Sequence, residues 1–230
     1  MRVVALLVAA GRGERLGRSI PKAFVELAGR PLLAHAAEAA LACPAIDGVV
    51  VAAPEHMEDE VRAVVAEGLV AVVTGGETRQ RSVLSALRAV PEGVEAVVCH
   101  DVARPLAAPF LFSLVLESLG SADGVVPVVP VPDTIKVVDG GMVTATVDRE
   151  RLGLAQTPQA FRRAALEEAH HAAEREGFQG TDDAALLERA GFTVAVVPGD
   201  PTNLKITTAG DLVVAEATLR ARSLAEPRDG

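Results

Sequence analysis

Short apolar runs rich in valine recur along the chain at residues 3–9, 49–53, 70–73, 96–99, 124–129 and 193–197. Runs of this length, closed by turn residues, read as strands buried on both faces. Between them lie Ala- and Leu-rich segments with helical spacing, at residues 31–42, 58–67, 80–90, 109–119, 161–176, 181–190 and 208–223. Strand and helix patterns that alternate in this way predict an α/β fold, a mainly parallel sheet wrapped by helices. Neither an internal repeat nor a linker divides the chain, so we expect one domain over residues 1–230.

One stretch breaks the alternation. Ile135 to Val138 and Met142 to Val147 flank Asp139-Gly140-Gly141, the pattern of two short strands joined by a glycine turn. An isolated hairpin is marginal in water. Residues 132–158 are therefore expected to form an arm that packs on something else, and a second copy of the chain is the natural supplier. Residues 224–230 carry Pro227 and no apolar periodicity and read as a frayed tail.

Composition narrows the function classes. The net charge is −9, and the aromatic residues are six Phe with no Trp or Tyr, so the chain has neither the positive field nor the stacking platform of a nucleic-acid binder. Its longest apolar runs fall far short of the roughly 20 residues of a membrane helix. Two cysteines make no disulfide framework, and we expect a cytoplasmic protein. Of 22 Lys and Arg residues only Lys22, Lys136 and Lys205 are lysine, which marks those three as candidates for positions needing a compact ammonium.

In open parallel sheets ligands bind beyond the carboxyl ends of the strands. After the first run comes Ala9-Ala10-Gly11-Arg12-Gly13-Glu14-Arg15-Leu16-Gly17, followed by Arg18 and Pro21-Lys22. Glycines that admit a close backbone approach, beside four cations and one acid, make a polyphosphate cradle. The loop misses the dinucleotide G-x-G-x-x-G fingerprint because Gly17 comes one residue late, and no Gly-Lys-Ser/Thr completes a Walker loop. After the fourth run, Asp101 is placed to anchor Mg²⁺, which takes one or two carboxylates together with phosphate oxygens and water; a surface ion pair with Arg104 is the plainer alternative. Gly75-Gly76 and Ser82 follow the third run and offer polar groups to a base, or Thr78 or Ser82 caps a helix. Thr208 with Asp211 has capping-box spacing. Thr181-Asp182-Asp183 fits a helix cap as well as a functional site.

These blocks together carry a resemblance. Leu7 to Gly17 with Pro21-Lys22 is similar to the nucleotidyltransferase signature. Gly75-Gly76 with Arg79 and Ser82, His100-Asp101-x-Ala103-Arg104-Pro105, Asp133-Thr134-Ile135-Lys136, Arg149, Gln156-Thr157-Pro158-Gln159-Ala160-Phe161, Thr181-Asp182-Asp183 and Asn203-Leu204-Lys205-Ile206-Thr207 resemble those of the 2-C-methyl-D-erythritol 4-phosphate cytidylyltransferases. Small departures are Val102, where most members carry Ala, Ala185, and Ala209-Gly210.

The resemblance implies a Rossmann-like three-layer nucleotidyltransferase fold with a dimerisation arm, CTP as substrate, and Mg²⁺ or another divalent cation. It implies catalytic roles for Arg15 and Lys22. Ala9, Ala10, Gly11, Gly13, Gly76, Ser82 and Asp101 would hold CTP, with Asp101 also the metal ligand. Arg104 and Lys205 would position the polyol phosphate, joined by Thr134 and Arg149 from the partner of a homodimer. A ribitol 5-phosphate cytidylyltransferase and a catalytically silent nucleotide-binding scaffold are the rival readings.

Overall fold

The computed structural model describes residues 1–11 and 20–225. Gly13 and Arg15, with the rest of the loop between those segments, and residues 226–230 of the expected tail lie outside the described residues; Leu224 and Ala225 end the last helix.

Strand β1 (Val3–Val8) leads past the first loop to a 3-10 turn at Lys22–Phe24, then to a two-strand ribbon of β2 (Glu26–Leu27) and β3 (Arg30–Pro31). The ribbon turns on Ala28 and Gly29, with φ of 51° and 77°, both in the left-handed region that a two-residue primed turn needs. There follow α1 (Leu32–Leu41), β4 (Gly48–Ala53), α2 (Glu58–Val64), β5 (Leu69–Thr74), α3 (Arg79–Arg88), β6 (Ala96–Asp101), α4 (Pro109–Glu117) and β7 (Gly124–Pro130). The remainder is β8 (Ile135–Asp139), β9 (Met142–Val147), β10 (Gly153–Ala155), β11 (Gln159–Arg162), α5 (Arg163–Glu176), α6 (Asp183–Arg189), β12 (Val194–Pro198) and α7 (Ala209–Ala225).

The main sheet runs β5-β4-β1-β6-β11-β7-β12. The β1, β4, β5 and β6 pairings are parallel, as is β7 with β12. β11 lies antiparallel between β6 and β7, and β10 continues along the same edge of β7. The period-2 geometry of β1 separates two cores. Val3, Ala5 and Leu7 face α1 and α4 through Leu33, Ala36, Phe112 and Val115. Val4 and Leu6 face α3, α5 and α6 through Val83, Leu87, Leu166 and Leu187. Three layers result, and each fully buried Leu or Phe contributes about 1.5–3 kcal/mol relative to exposure.

Several expectations change. β5 and β12 are edge strands and only partly buried. Apolar spacing groups Phe161 with a helix, yet it lies in β11 and is fully buried. It stacks across from Gly124 in the neighbouring strand, where a Cβ would come within 2.8 Å of the Phe161 ring. The free arm is shorter than residues 132–158, because β10 rejoins β7. What stands clear of the sheet is the β8–β9 hairpin, which among the described residues pairs only with itself and turns through Gly140 and Gly141, both at positive φ. Its Val138, Met142 and Val143 are exposed.

Candidate active site

Because β5, β4, β1 and β6 are neighbours, the loops leaving their carboxyl ends meet. They enclose a cavity of about 820 Å³ whose lining includes Ala9, Ala10 and Gly11 after β1, Gly75 and Gly76 after β5, and Asp101 at the end of β6. Lys22 and Lys205 enter it from the 3-10 turn and from the loop after β12.

Close packing holds the two glycine walls together. A Cβ on Gly75 would lie 2.2 Å from the Ala10 Cβ, and one on Gly76 would lie 2.4 Å from the Arg81 Cβ. Neighbouring residues of β4 fix both walls: Ala9 N–H donates to the Ala52 carbonyl at 2.9 Å and Gly75 N–H to the Ala53 carbonyl at 2.8 Å. Ser82 is buried, and its Oγ accepts from Gly76 N–H at 3.1 Å while donating to the Thr78 carbonyl at 2.9 Å. Its hydroxyl thus shapes the turn that presents Gly76. Thr78 is the cap of α3, accepting from Arg81 N–H.

Asp101 is the electrostatic centre. It pairs with Arg79 Nε through Oδ1 at 2.8 Å and with Lys205 Nζ through Oδ2 at 2.7 Å, and not with Arg104. Burial alone would raise its pKa, but the Arg79 and Lys205 charges outweigh that and hold the carboxyl well below the usual range. Beside it His100 is fully buried, edge-on to Phe112, with Nδ1 3.0 Å from Thr157 Oγ1. Burial lowers its pKa to about 4, so it is a neutral structural imidazole.

Arg104 stands outside the cavity lining. It donates from Nη1 to the Asn203 carbonyl at 2.7 Å and from Nη2 to the Ala155 carbonyl at 3.2 Å. Ile206 N–H donates to the Ala103 carbonyl at 2.8 Å, so the 103–104 loop holds the segment that carries Lys205. Thr134 and Arg149 also lie outside the lining, at the base of the hairpin, where Arg149 Nη1 donates to the Pro132 carbonyl. Three polar residues escape a reading by motif roles alone. Arg79 follows the Gly75-Gly76 pair, Asp183 belongs to a segment that fits a helix cap equally well, and His170 is an unremarkable helix position; folding joins them to Asp101 across stretches of chain.

The Thr208–Asp211 capping box holds, with Asp211 accepting from the Thr207 and Thr208 N–H groups and Thr208 Oγ1 from Asp211 N–H, whereas the cap of α6 is Asp182, accepting from Ala185 N–H, and not Thr181. Cys43 and Cys99 are free and buried. Among the described residues no helix is long and apolar enough to cross a membrane.

Comparison with known proteins gives the family. The family model for 2-C-methyl-D-erythritol 4-phosphate cytidylyltransferase matches residues 3–221. The curated protein of that name from Microcystis aeruginosa is 46% identical over 94% of this chain and 98% of its own, and the one from Geotalea uraniireducens is 43% identical over 96% and 98%. The crystal structure of the Thermus thermophilus protein of that name superposes with a TM-score of 0.79 at 39% identity, covering 96% of this chain and all of that one. The Anaerococcus prevotii 4-diphosphocytidyl-2C-methyl-D-erythritol synthase gives 0.84 at 29% identity, over 95% and 98%. With a family model spanning nearly its whole length and relatives above 40% identity, the chain belongs to the 2-C-methyl-D-erythritol 4-phosphate cytidylyltransferase family.

Proposed function

We propose that this chain transfers CMP from CTP to 2-C-methyl-D-erythritol 4-phosphate and releases pyrophosphate, in the supply of isoprenoid precursors. The observation that carries the reading is the convergence of Lys22, Lys205, Arg79 and Asp101 between two close-packed glycine walls on the ligand edge of a sheet of this family.

The chemistry asks little of a base. A phosphate monoester has a second pKa near 6, so the acceptor oxygen that attacks the α-phosphorus of CTP is already largely ionised at pH 7. Asp101, held ionised by its cation partners, is too weakly basic to take a proton there. Catalysis is then alignment of the two phosphates and neutralisation of charge on the α-phosphoryl oxygens. Lys22 and Arg15 would carry that charge, Ala9 to Gly13 the triphosphate, and Gly76, on the turn shaped by Ser82, the base.

The donor set suits a divalent cation that arrives with its phosphates. Asp101 shares the cavity lining with Glu55 and Glu77, and among the described residues no group of three or more His, Cys, Asp or Glu could hold a metal by itself. Mg²⁺ needs only one or two carboxylates besides phosphate and water. Asp101 would hold it, and the ion, when bound, neutralises phosphoryl oxygens as a Lewis acid.

Lys205 and Arg104 would orient the acceptor phosphate. Thr134 and Arg149 lie on the hairpin and outside this chain's own lining, so in our reading they serve the site of a second copy, in a homodimer whose arms exchange. The exposed Val138, Met142 and Val143 supply apolar surface for that contact. Free buried cysteines fit a reducing, cytoplasmic setting.

The test is pyrophosphate release from CTP with methylerythritol phosphate and with ribitol 5-phosphate in turn, with and without Mg²⁺. Release with the first and not the second, dependent on the cation, is expected. Preference for ribitol 5-phosphate, or release with neither, overturns the proposal.

A further inference from the structure

The charge network beneath Asp101 extends inward beyond what the transfer itself requires. Arg79, the first residue of α3, spends Nε on Asp101 Oδ1 at 2.8 Å and Nη1 on Asp183 Oδ2 at 2.7 Å. Two carboxylates from distant parts of the chain thus grip one planar guanidinium, and a planar fork held at two edges has little freedom left to turn. Asp183, the first residue of α6, is fully buried, and its other oxygen faces the buried His170 Nε2 of α5 at 3.4 Å. Adjacent side chains repeat the cross-link. Gln80 Nε2 donates to the Phe178 carbonyl at 3.3 Å, Gln80 Oε1 accepts from Gly180 N–H at 3.2 Å, and Gln159 Nε2 donates to Asp182 Oδ2 at 3.0 Å. Residues 178–183 are thereby tied to the start of α3 and to β11.

The two cations on Asp101 are unequal. Arg79 is pinned from below by Asp183, whereas the Lys205 side chain is 44% exposed and, among the described residues, anchored at Nζ only by Asp101. One carboxylate oxygen is therefore held on a rigid support and the other by an adaptable one. Stability alone is a poor reason to keep such an arrangement, because a buried ion pair is often no more stabilising than apolar residues of the same volume.

We infer that Arg79 is a positioning residue, aligned by the buried Asp183, and that this clamp sets the orientation in which Asp101 meets the nucleotide. The inference rests on the nucleotidyl-transfer reading of the cavity and adds to it the residues that prepare Asp101.

The experiment is a double-mutant cycle between Asp101 and Asp183, which do not touch each other. CTP binding by calorimetry in the presence of Mg²⁺, kcat and KM for CTP, and Tm are measured for Asp183→Asn, Asp101→Asn and the pair. Asp183→Asn is expected to lower CTP affinity and kcat/KM by about 10–100-fold, the usual cost of losing a partner that orients a ligating group. In the Asp101→Asn background the same change is expected to have less than about a twofold further effect, because the group it aligned has gone. Additive losses overturn the inference, since a merely structural role for Asp183 would lower Tm and act alike in both backgrounds. If Asp183→Asn does not fold, Arg79→Lys at the cavity rim takes its place in the cycle. It keeps the charge but cannot bridge both carboxylates, and wild-type CTP binding in that variant overturns the inference equally. Should wild-type protein bind CTP yet fail to turn over methylerythritol phosphate, the functional reading falls while the binding cycle still decides the role of Arg79.

Discussion

Gly75 and Ala10 offer a direct probe of how closely the two walls of the cavity are locked. Gly75 is not at positive φ, so Gly75→Ala perturbs space rather than backbone conformation. The new methyl would sit 2.2 Å from the Ala10 Cβ, 3.0 Å from Ser82 Oγ and 3.3 Å from the Ala53 carbonyl oxygen. Carbon atoms rest at about 3.5–4.0 Å, so the walls must part by about 1.5 Å. Neither wall is free to do so, since Ala9 and Gly75 are each bonded to the backbone of β4. Overpacking of this kind costs about 1–3 kcal/mol, which for a chain of this length lowers Tm by about 2–12 °C. A misplacement near 1 Å among substrate-holding groups costs about 10²-fold, so kcat/KM in a pyrophosphate-release assay should fall at least that far. Gly191→Ala is the control. It strains a residue at φ 85° outside the cavity lining, and should lower Tm while leaving kcat/KM within about twofold. Wild-type kcat/KM and Tm in Gly75→Ala would refute the reasoning, for they would mean that the two loops do not touch.

Other outcomes follow from the same geometry. Lys22→Ala should reduce kcat by about 10³-fold, the range expected for a cation that neutralises a phosphoryl transition state; an unchanged kcat in stopped-flow turnover removes that role. Mixing inactive Arg149→Ala and Lys22→Ala subunits should restore part of the activity if sites are shared, and no recovery after verified subunit exchange excludes sharing. His100, buried and neutral with its pKa lowered to about 4, leaves the folded state without a proton that the unfolded chain takes up below about pH 6.5. Stability should therefore fall as pH drops from about 6.5 to about 4, by up to about 3 kcal/mol. Urea midpoints across that window should decline less steeply in a His100→Gln variant than in wild type.

Much of the fold could be read along the chain because β1, β4 and β6 are continuous apolar runs, each followed by an amphipathic helix. β10 and β11 could not. Gly153-Leu154-Ala155 is too short to show a period, and Gln159-Ala160-Phe161-Arg162 passes straight into α5, so its apolar pair merges with the helical pattern. The site divides in the same way. Asp101, Lys22 and Lys205 stood out because their residue types sit at strand ends or were spared in an arginine-rich chain. Arg79, Asp183 and His170 did not, because what makes them a unit is distance in space, and no local spacing encodes a contact between α3, α5 and α6.

The place of β11 has a consequence for how this chain is made. Synthesis delivers β6 and then β7 while the strand that belongs between them has not yet emerged from the ribosome, so the growing sheet must keep a slot open. The amino-terminal strands can assemble early, but the two sides of the sheet can be knitted into one only when residues 159–162 arrive to fill the gap. A nascent chain stalled after β9 would expose the flank of β6 as an unpaired edge, the kind of surface on which chaperones and neighbouring chains act.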